Sequence, residues 1–165
     1  MTAEIFIEDR FSCSPKALFD MLCDNTFDDK LMESLNMGKQ LLSEEKQDNG
    51  ILYKIRLTNP EDIPAIAKKF VGDHLVYVET RRWLSQNLGN TWVIEPEVNG
   101  VKVEAKGVTE IIPDGEGCIR RTKGSVNVSL PLIGKKIEEM VLKSIQDTFK
   151  KNAEYCKKYI ADNHL

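Results

Sequence analysis

IGKKIEEMVLKSIQDTFKKNAEYCKKYI, residues 133–160, repeats apolar side chains at steps of three and four, with lysines and acids between them. The apolar positions are Ile133, Ile137, Val141, Ile145, Phe149, Ala153, Cys156 and Ile160. This spacing indicates an amphipathic helix, and a rise of 1.5 Å per residue makes it roughly 40 Å long. Each large apolar residue contributes about 1.5–3 kcal/mol when buried, so the stripe requires a partner surface. The sequence therefore predicts a C-terminal helix that crosses the whole domain.

Segments in which apolar residues alternate with polar ones predict that partner surface. An N-terminal strand over residues 3–11 is followed by six more, over residues 38–46, 51–58, 75–83, 91–97, 101–112 and 118–130. Turn-forming clusters rich in Asn, Asp and Gly separate most of the later segments. Such clusters favour hairpins over crossover connections. We therefore predict a seven-stranded antiparallel sheet.

Two short helices are predicted between the first and second strands. Ser14 is a suitable N-cap and Pro15 fits the first helical position, where its missing N–H costs nothing. The second helix is predicted over residues 26–35, with Thr26 as its N-cap. A further short helix is expected in the insertion at residues 59–72. The predicted class is α+β, in the order β-α-α-β-β-(short α)-β-β-β-β-α.

The composition fits one globular domain over residues 1–165. Hydrophobic residues make up 41% of the chain and charged residues 30%, and the formal net charge is −3. An acidic chain has no general attraction to nucleic acid, so we expect no such partner. Four scattered cysteines and two histidines predict neither a metal site nor a cofactor. The acidic N-terminus does not resemble a signal peptide, so the expected location is cytoplasmic.

The chain resembles the START-like, helix-grip (SRPBCC) superfamily, and within it a poorly characterised subfamily. The resemblance rests on residues 14–22 (SPKALFDML), on Trp83, and on residues 126–138 (VNVSLPLIGKKIE), and it covers nearly the whole chain. It implies a curved sheet wrapped around the C-terminal helix, with a cavity between the two. It implies no single ligand or reaction.

A cavity in this position predicts a set of ligand-binding residues. The strands would provide Tyr53, Tyr77, Glu79, Arg81, Trp83, Trp92 and Val103, and the helix would provide Ile137, Val141, Ile145 and Phe149. The alternative is that the apolar members are ordinary core and that Glu79 and Arg81 form a solvated cross-strand pair. The basic cluster Arg120, Arg121 and Lys123 is interpreted as a solvated strand.

The insertion after the third strand carries Ile63, Ile66 and Phe70 at helical spacing, beside Lys68 and Lys69. These residues could form a lid over the mouth of the cavity, and their basic neighbours could make transient contact with a membrane surface during lipid loading. The alternative is that the insertion simply packs against the edge of the sheet.

The leading functional hypothesis is binding or transfer of a hydrophobic small molecule, such as a lipid, without catalysis. None of the common catalytic motifs occurs in the sequence. His74 beside Asp73 is expected in an exposed turn. Two alternatives stay open: a small cyclase or hydrolase that uses Glu79, Arg81 or tyrosine hydroxyls in the cavity, and a co-chaperone-like protein-interaction module. A filled core with an exposed apolar patch would favour the second alternative.

Overall fold

A computed structural model describes residues 2–165 and contains one seven-stranded antiparallel sheet. The spatial order of the strands is β1-β7-β6-β5-β4-β3-β2. Their bounds are β1 Thr2–Phe11, β2 Gly38–Gln47, β3 Gly50–Thr58, β4 Val76–Leu84, β5 Gly89–Pro96, β6 Lys102–Asp114 and β7 Gly117–Ser129. All six neighbouring pairs are antiparallel, and only β1 pairs with a strand distant in sequence. The predicted α+β helix-grip architecture is confirmed.

Four helices complete the fold: α1 Pro15–Leu22, α2 Asn25–Ser34, α3 Ala65–Val71 and α4 Gly134–Asp162. Ser14 caps α1 as predicted, since its hydroxyl accepts a hydrogen bond from the Ala17 amide at 3.2 Å. The prediction of Thr26 as the cap of α2 is wrong. Asp24 is the cap, because its carboxylate accepts hydrogen bonds from the amides of Thr26, at 2.7 Å, and Phe27. The helix consequently begins one residue before Thr26.

Two apolar clusters form the core, and α4 contributes to both. Cluster 1 joins α1 and α2 to the C-terminal part of α4 and includes Leu18, Ile55 and Cys156. Cluster 2 joins α3 to the N-terminal part of α4 and includes Val126 and Val141.

The buried residues of α4 lie near its two ends. Gly134, Ile137, Glu138 and Val141 are buried at one end, and Ala153, Cys156 and Ile160 at the other. Residues 142–152, about three turns, include no fully buried side chain. The middle of the helix therefore lies over a region where the core is incomplete.

The four cysteines are free, and Cys13, Cys118 and Cys156 are buried while Cys23 is half-buried. Burial raises the pKa of the Cys118 thiol to about 12, so this group stays protonated at neutral pH. His74 lies in the exposed connection before β4, as expected.

Candidate ligand-binding cavity

A cavity of about 110 Å³ lies between the sheet and the middle of α4. Its apolar wall includes Leu22, Leu31, Met32, Met37, Leu57 and Ile94. Its polar wall consists of Asp28, Tyr77, Glu79, Arg81, Asn90, Thr109, Arg120, Thr148 and Asn152. The lining takes residues from both apolar clusters, and Tyr77 packs against each of them. The cavity therefore separates the two halves of the core.

An ion-pair network built around Arg81 forms one side of the cavity. Arg81 donates two hydrogen bonds to the Glu79 carboxylate, at 3.1 and 3.0 Å, and one to Asp28 at 3.1 Å. Lys39 lies 2.7 Å from the other Asp28 oxygen and 2.8 Å from Asp29. Burial raises the pKa of Asp28, but the charges and hydrogen bonds of Arg81 and Lys39 outweigh that effect and hold the pKa below its usual value. Asp28 is consequently ionised at neutral pH.

Arg120 forms a second buried ion pair on the opposite wall. Its guanidinium carbon lies 5.3 Å from the ring centre of Phe11 and 5.4 Å from that of Phe149. Arg120 also donates a hydrogen bond to Asp9 at 2.8 Å and one to Asn152 at 2.7 Å. The side chain is only 4% exposed. Interpreting Arg120 as part of a solvated strand is therefore wrong, because regular alternation turns it inward while Arg121 faces outward and pairs with Glu8.

The indole of Trp92 lies over two glycines on neighbouring strands. Gly107 pairs with Trp92 across β5 and β6, and with Gly124 across β6 and β7. A Cβ at Gly107 would lie 2.3 Å from Cζ2 of Trp92, and one at Gly124 would lie 3.0 Å from the same ring. The absence of side chains at these two positions creates the space for the indole. Trp83 is held differently, edge to face against Phe19 with the ring centres 5.6 Å apart.

Apart from Oδ2 of Asp28, which lies 2.7 Å from Lys39, four buried polar atoms on side chains that line the cavity have no hydrogen-bond partner within residues 2–165. They are Nε1 of Trp83, Nε1 of Trp92, Nε of Arg120 and Oδ1 of Asn90. Each of these side chains is more than nine-tenths buried. An unpaired buried donor or acceptor costs about 1–3 kcal/mol, so such groups normally have a partner in a folded protein.

Seven of the predicted ligand-binding residues line this cavity: Tyr77, Glu79, Arg81, Trp83, Trp92, Ile145 and Phe149. The other four do not. Tyr53 packs in cluster 1, where its hydroxyl donates to the Cys23 carbonyl at 3.0 Å. Val103, Ile137 and Val141 pack in cluster 2. The geometry therefore gives these four residues packing roles.

The polar lining includes residues that sequence reasoning missed, among them Asp28, Asn90, Thr109 and Asn152. The burial of Asp28 could have been predicted from its position in the sequence. Asp28 precedes Leu31 and Met32 by three and four residues, which places it on the buried face of α2.

The predicted lid residues do not line the cavity. Ile63 is buried in cluster 2 and lines a separate pocket of about 20 Å³. Phe70 packs partly against the same cluster, while Ile66 is 44% exposed. Asn59, at the start of the insertion, donates to the Ser144 hydroxyl of α4 at 2.8 Å. The insertion is therefore attached to α4 and packs beside cluster 2.

Within residues 2–165, no helix combines the length and the apolar character needed to cross a membrane. The same residues contain no group of three or more side chains arranged to hold a metal ion.

Comparison with solved structures identifies the fold. The chain is similar to a START superfamily protein from Mycobacterium smegmatis, with a TM-score of 0.60 and 12% identity over 96% of this chain and 98% of that one. It is also similar to the Zhui aromatase/cyclase from a Streptomyces species, with a TM-score of 0.68 and 10% identity over 93% and 90% of the two chains. The di-domain aromatase/cyclase StfQ of the steffimycin biosynthetic pathway matches with a TM-score of 0.70 and 13% identity, over 99% of this chain and 52% of that one.

Sequence comparison identifies the family. No curated protein matches the chain. The model of the family described as "Protein of unknown function (DUF2505)" matches residues 7–160, which is nearly the whole sequence. The START-like, helix-grip fold agrees with the resemblance drawn from the sequence, and the match over residues 7–160 shows that the chain belongs to the DUF2505 family.

Proposed function

We propose that this protein binds a compact, largely apolar small molecule in the cavity between the sheet and α4. The observation that carries the proposal is a cavity of about 110 Å³ that interrupts the core and has unpaired polar groups in its wall. At about 24 cal/mol per Å³, an empty space of this size costs roughly 2.6 kcal/mol. That is a substantial part of the 5–15 kcal/mol by which domains are typically stable. Ordered water or a ligand that fills the cavity avoids this cost.

The volume limits the size of the ligand. Pockets for drug-sized molecules usually measure at least about 300 Å³, whereas an engineered cavity of about 150 Å³ accepts benzene. A cavity of about 110 Å³ is smaller than that engineered one, so the ligand has at most a single ring. A long-chain lipid would require α4 to move away from the sheet. Lipid transfer, transient membrane contact through residues 59–72 and a cytoplasmic location remain predictions from the sequence.

The proposal is tested by filling the cavity from α4. Thr148 lines the cavity, whereas Gln146 is exposed on the other side of the helix, so Thr148→Phe and Gln146→Phe form a matched pair. A panel of one-ring compounds should raise the melting temperature of the wild type and of Gln146→Phe, but not that of Thr148→Phe. The melting temperature of unliganded Thr148→Phe should be at least equal to that of the wild type. If no compound binds the wild type, or if both variants respond equally, the cavity is not the binding site.

A second candidate function is catalysis of the cyclase type. It is favoured by the presence of Tyr77, Glu79 and Arg81 in one lining, and by similarity to the structures of two aromatase/cyclases. Burial raises the pKa of Tyr77, so its hydroxyl would act as a hydrogen-bond donor rather than as a base at neutral pH. Both carboxylate oxygens of Glu79 accept hydrogen bonds from Arg81, which engages them within the protein rather than with a substrate. Binding without catalysis is therefore the function that the geometry supports best.

The protein-interaction hypothesis receives less support. This hypothesis predicts a filled core together with an exposed apolar patch, whereas the core contains a cavity.

A further inference from the structure

We infer that the ligand of the cavity is an uncharged one-ring compound bearing a hydrogen-bond-acceptor oxygen, such as an aryl ketone. This inference rests on the proposed binding function and specifies the chemical class of the ligand. It follows from three observations: the unpaired groups in the wall, the balance of charge around the cavity, and its volume.

The unpaired groups favour a ligand that accepts hydrogen bonds. Three of the four are donors, namely the indole N–H groups of Trp83 and Trp92 and the Nε–H of Arg120. Each of the other two guanidinium nitrogens of Arg120 already donates one hydrogen bond, to Asp9 or to Asn152, whereas Nε donates none. Donors left without partners in a site discriminate strongly against ligands that lack the matching acceptor. A pure hydrocarbon would leave all three donors unpaired.

The charges around the cavity favour a neutral ligand. The buried cations are Lys39, Arg81 and Arg120, and the buried or nearly buried carboxylates that contact them are Asp9, Asp28 and Glu79. Three positive and three negative charges therefore balance within the protein. A carboxylate or ammonium group on the ligand would enter a low-dielectric site without a free counter-charge, at a cost of several kcal/mol.

The two tryptophans allow a direct test. Trp83 and Trp92 are the only tryptophans in the chain, so a ¹⁵N-labelled sample gives just two indole N–H signals and both report on the cavity. Trp83→Phe and Trp92→Phe assign them. Each signal is followed during titration at pH 7 with acetophenone, with ethylbenzene, which has a similar shape and no oxygen, and with benzoate, which carries a charge.

We expect acetophenone to bind at least about tenfold more tightly than either of the other compounds and to shift at least one indole N–H signal downfield. Replacing the tryptophan that gives this signal with Phe should weaken acetophenone binding about tenfold and leave ethylbenzene binding nearly unchanged. If either Phe variant fails to fold, the wild-type titrations alone decide the outcome.

The possible failures are distinguishable. Equal affinity for acetophenone and ethylbenzene would overturn the inference about the acceptor and leave the proposed binding function intact. Tighter binding of benzoate would overturn the inference of a neutral ligand. If none of the three compounds binds at millimolar concentration and both indole N–H signals stay unchanged, the inference and the proposed function are both overturned.

Discussion

Replacing Asp28 with asparagine tests whether the network around Arg81 is as tightly coupled as its geometry indicates. Removing one partner of a buried ion pair usually costs about 3–5 kcal/mol. Here both cations keep another partner, since Arg81 stays bound to Glu79 and Lys39 stays 2.8 Å from Asp29. We therefore expect Asp28→Asn to lower the free energy of unfolding at pH 7 by about 3 kcal/mol, at the low end of that range.

The pH dependence of this effect has a defined sign. Because the pKa of folded Asp28 lies below its unfolded value near 3.9, the carboxylate stabilises the folded state above that pH. The stabilisation is lost as the pH falls through the folded pKa. The difference between wild type and Asp28→Asn should therefore be greatest at pH 7 and should shrink as the pH is lowered from 4 to 2.5. Urea denaturation at a series of pH values measures it.

Asp29→Asn is the matched control. Asp29 contacts the same lysine, but its side chain is 59% exposed, so this change should cost less than about 1 kcal/mol. Equal effects of the two substitutions, or a loss below 1 kcal/mol for Asp28→Asn at pH 7, would refute the reasoning. A second readout comes from ligand binding. Loss of the Asp28 charge leaves one excess positive charge beside the cavity, so affinity for benzoate should increase relative to that for acetophenone.

Three further predictions concern the glycine pair, a buried thiol and a helix cap. Gly107→Ala would put a methyl group 2.3 Å from the Trp92 ring and 2.5 Å from the Lys123 carbonyl oxygen. We therefore expect the free energy of unfolding to fall by about 1–3 kcal/mol and the fluorescence of Trp92 to change. Val108→Ala, at the exposed neighbouring position, is the control and should have little effect. Cys118, whose pKa burial raises to about 12, should resist iodoacetamide at pH 8 in the folded protein and react in urea, and rapid modification without urea would contradict its burial. Asp24→Ala should cost about 1 kcal/mol through loss of the α2 cap, whereas Thr26→Ala should cost clearly less, and the reverse order would restore Thr26 as the cap.

The fold was predictable because its two periodicities are long and uninterrupted. The stripe from Ile133 to Ile160 fits only a helix, and the turn clusters between alternating segments leave little choice but hairpins. The cap of α2 was predictable in type but not in position, because Asp24 and Thr26 are both good capping residues and only the backbone distinguishes them.

The cavity was only partly predictable because periodicity shows which face of a helix or strand turns inward, but not whether a residue on that face packs in the core or lines a cavity. Ile137 and Ile145 occupy equivalent positions in the stripe, yet the first is buried in cluster 2 and the second lines the cavity. Arg120 and Arg121 are adjacent and chemically identical, and a shift of one residue in strand register exchanges the buried one for the exposed one. Which turn of α4 lies over empty space depends on how the sheet curves, and no local pattern encodes that curvature.

The unburied middle of α4 has a mechanical consequence. The helix is packed against the core mainly at its two ends, and residues 142–152 between Val141 and Ala153 are held by fewer contacts, among them the hydrogen bond between Asn59 and Ser144. A partly packed segment bends more easily than a fully packed helix, so a displacement of residues 142–152 would admit a molecule while both ends of the helix stay packed. A ligand bound as we propose would contact Ile145 and Phe149 and would add a third region of packing to the helix. It would thereby hold the middle of α4 against the sheet and connect the packing at one end of the domain with that at the other.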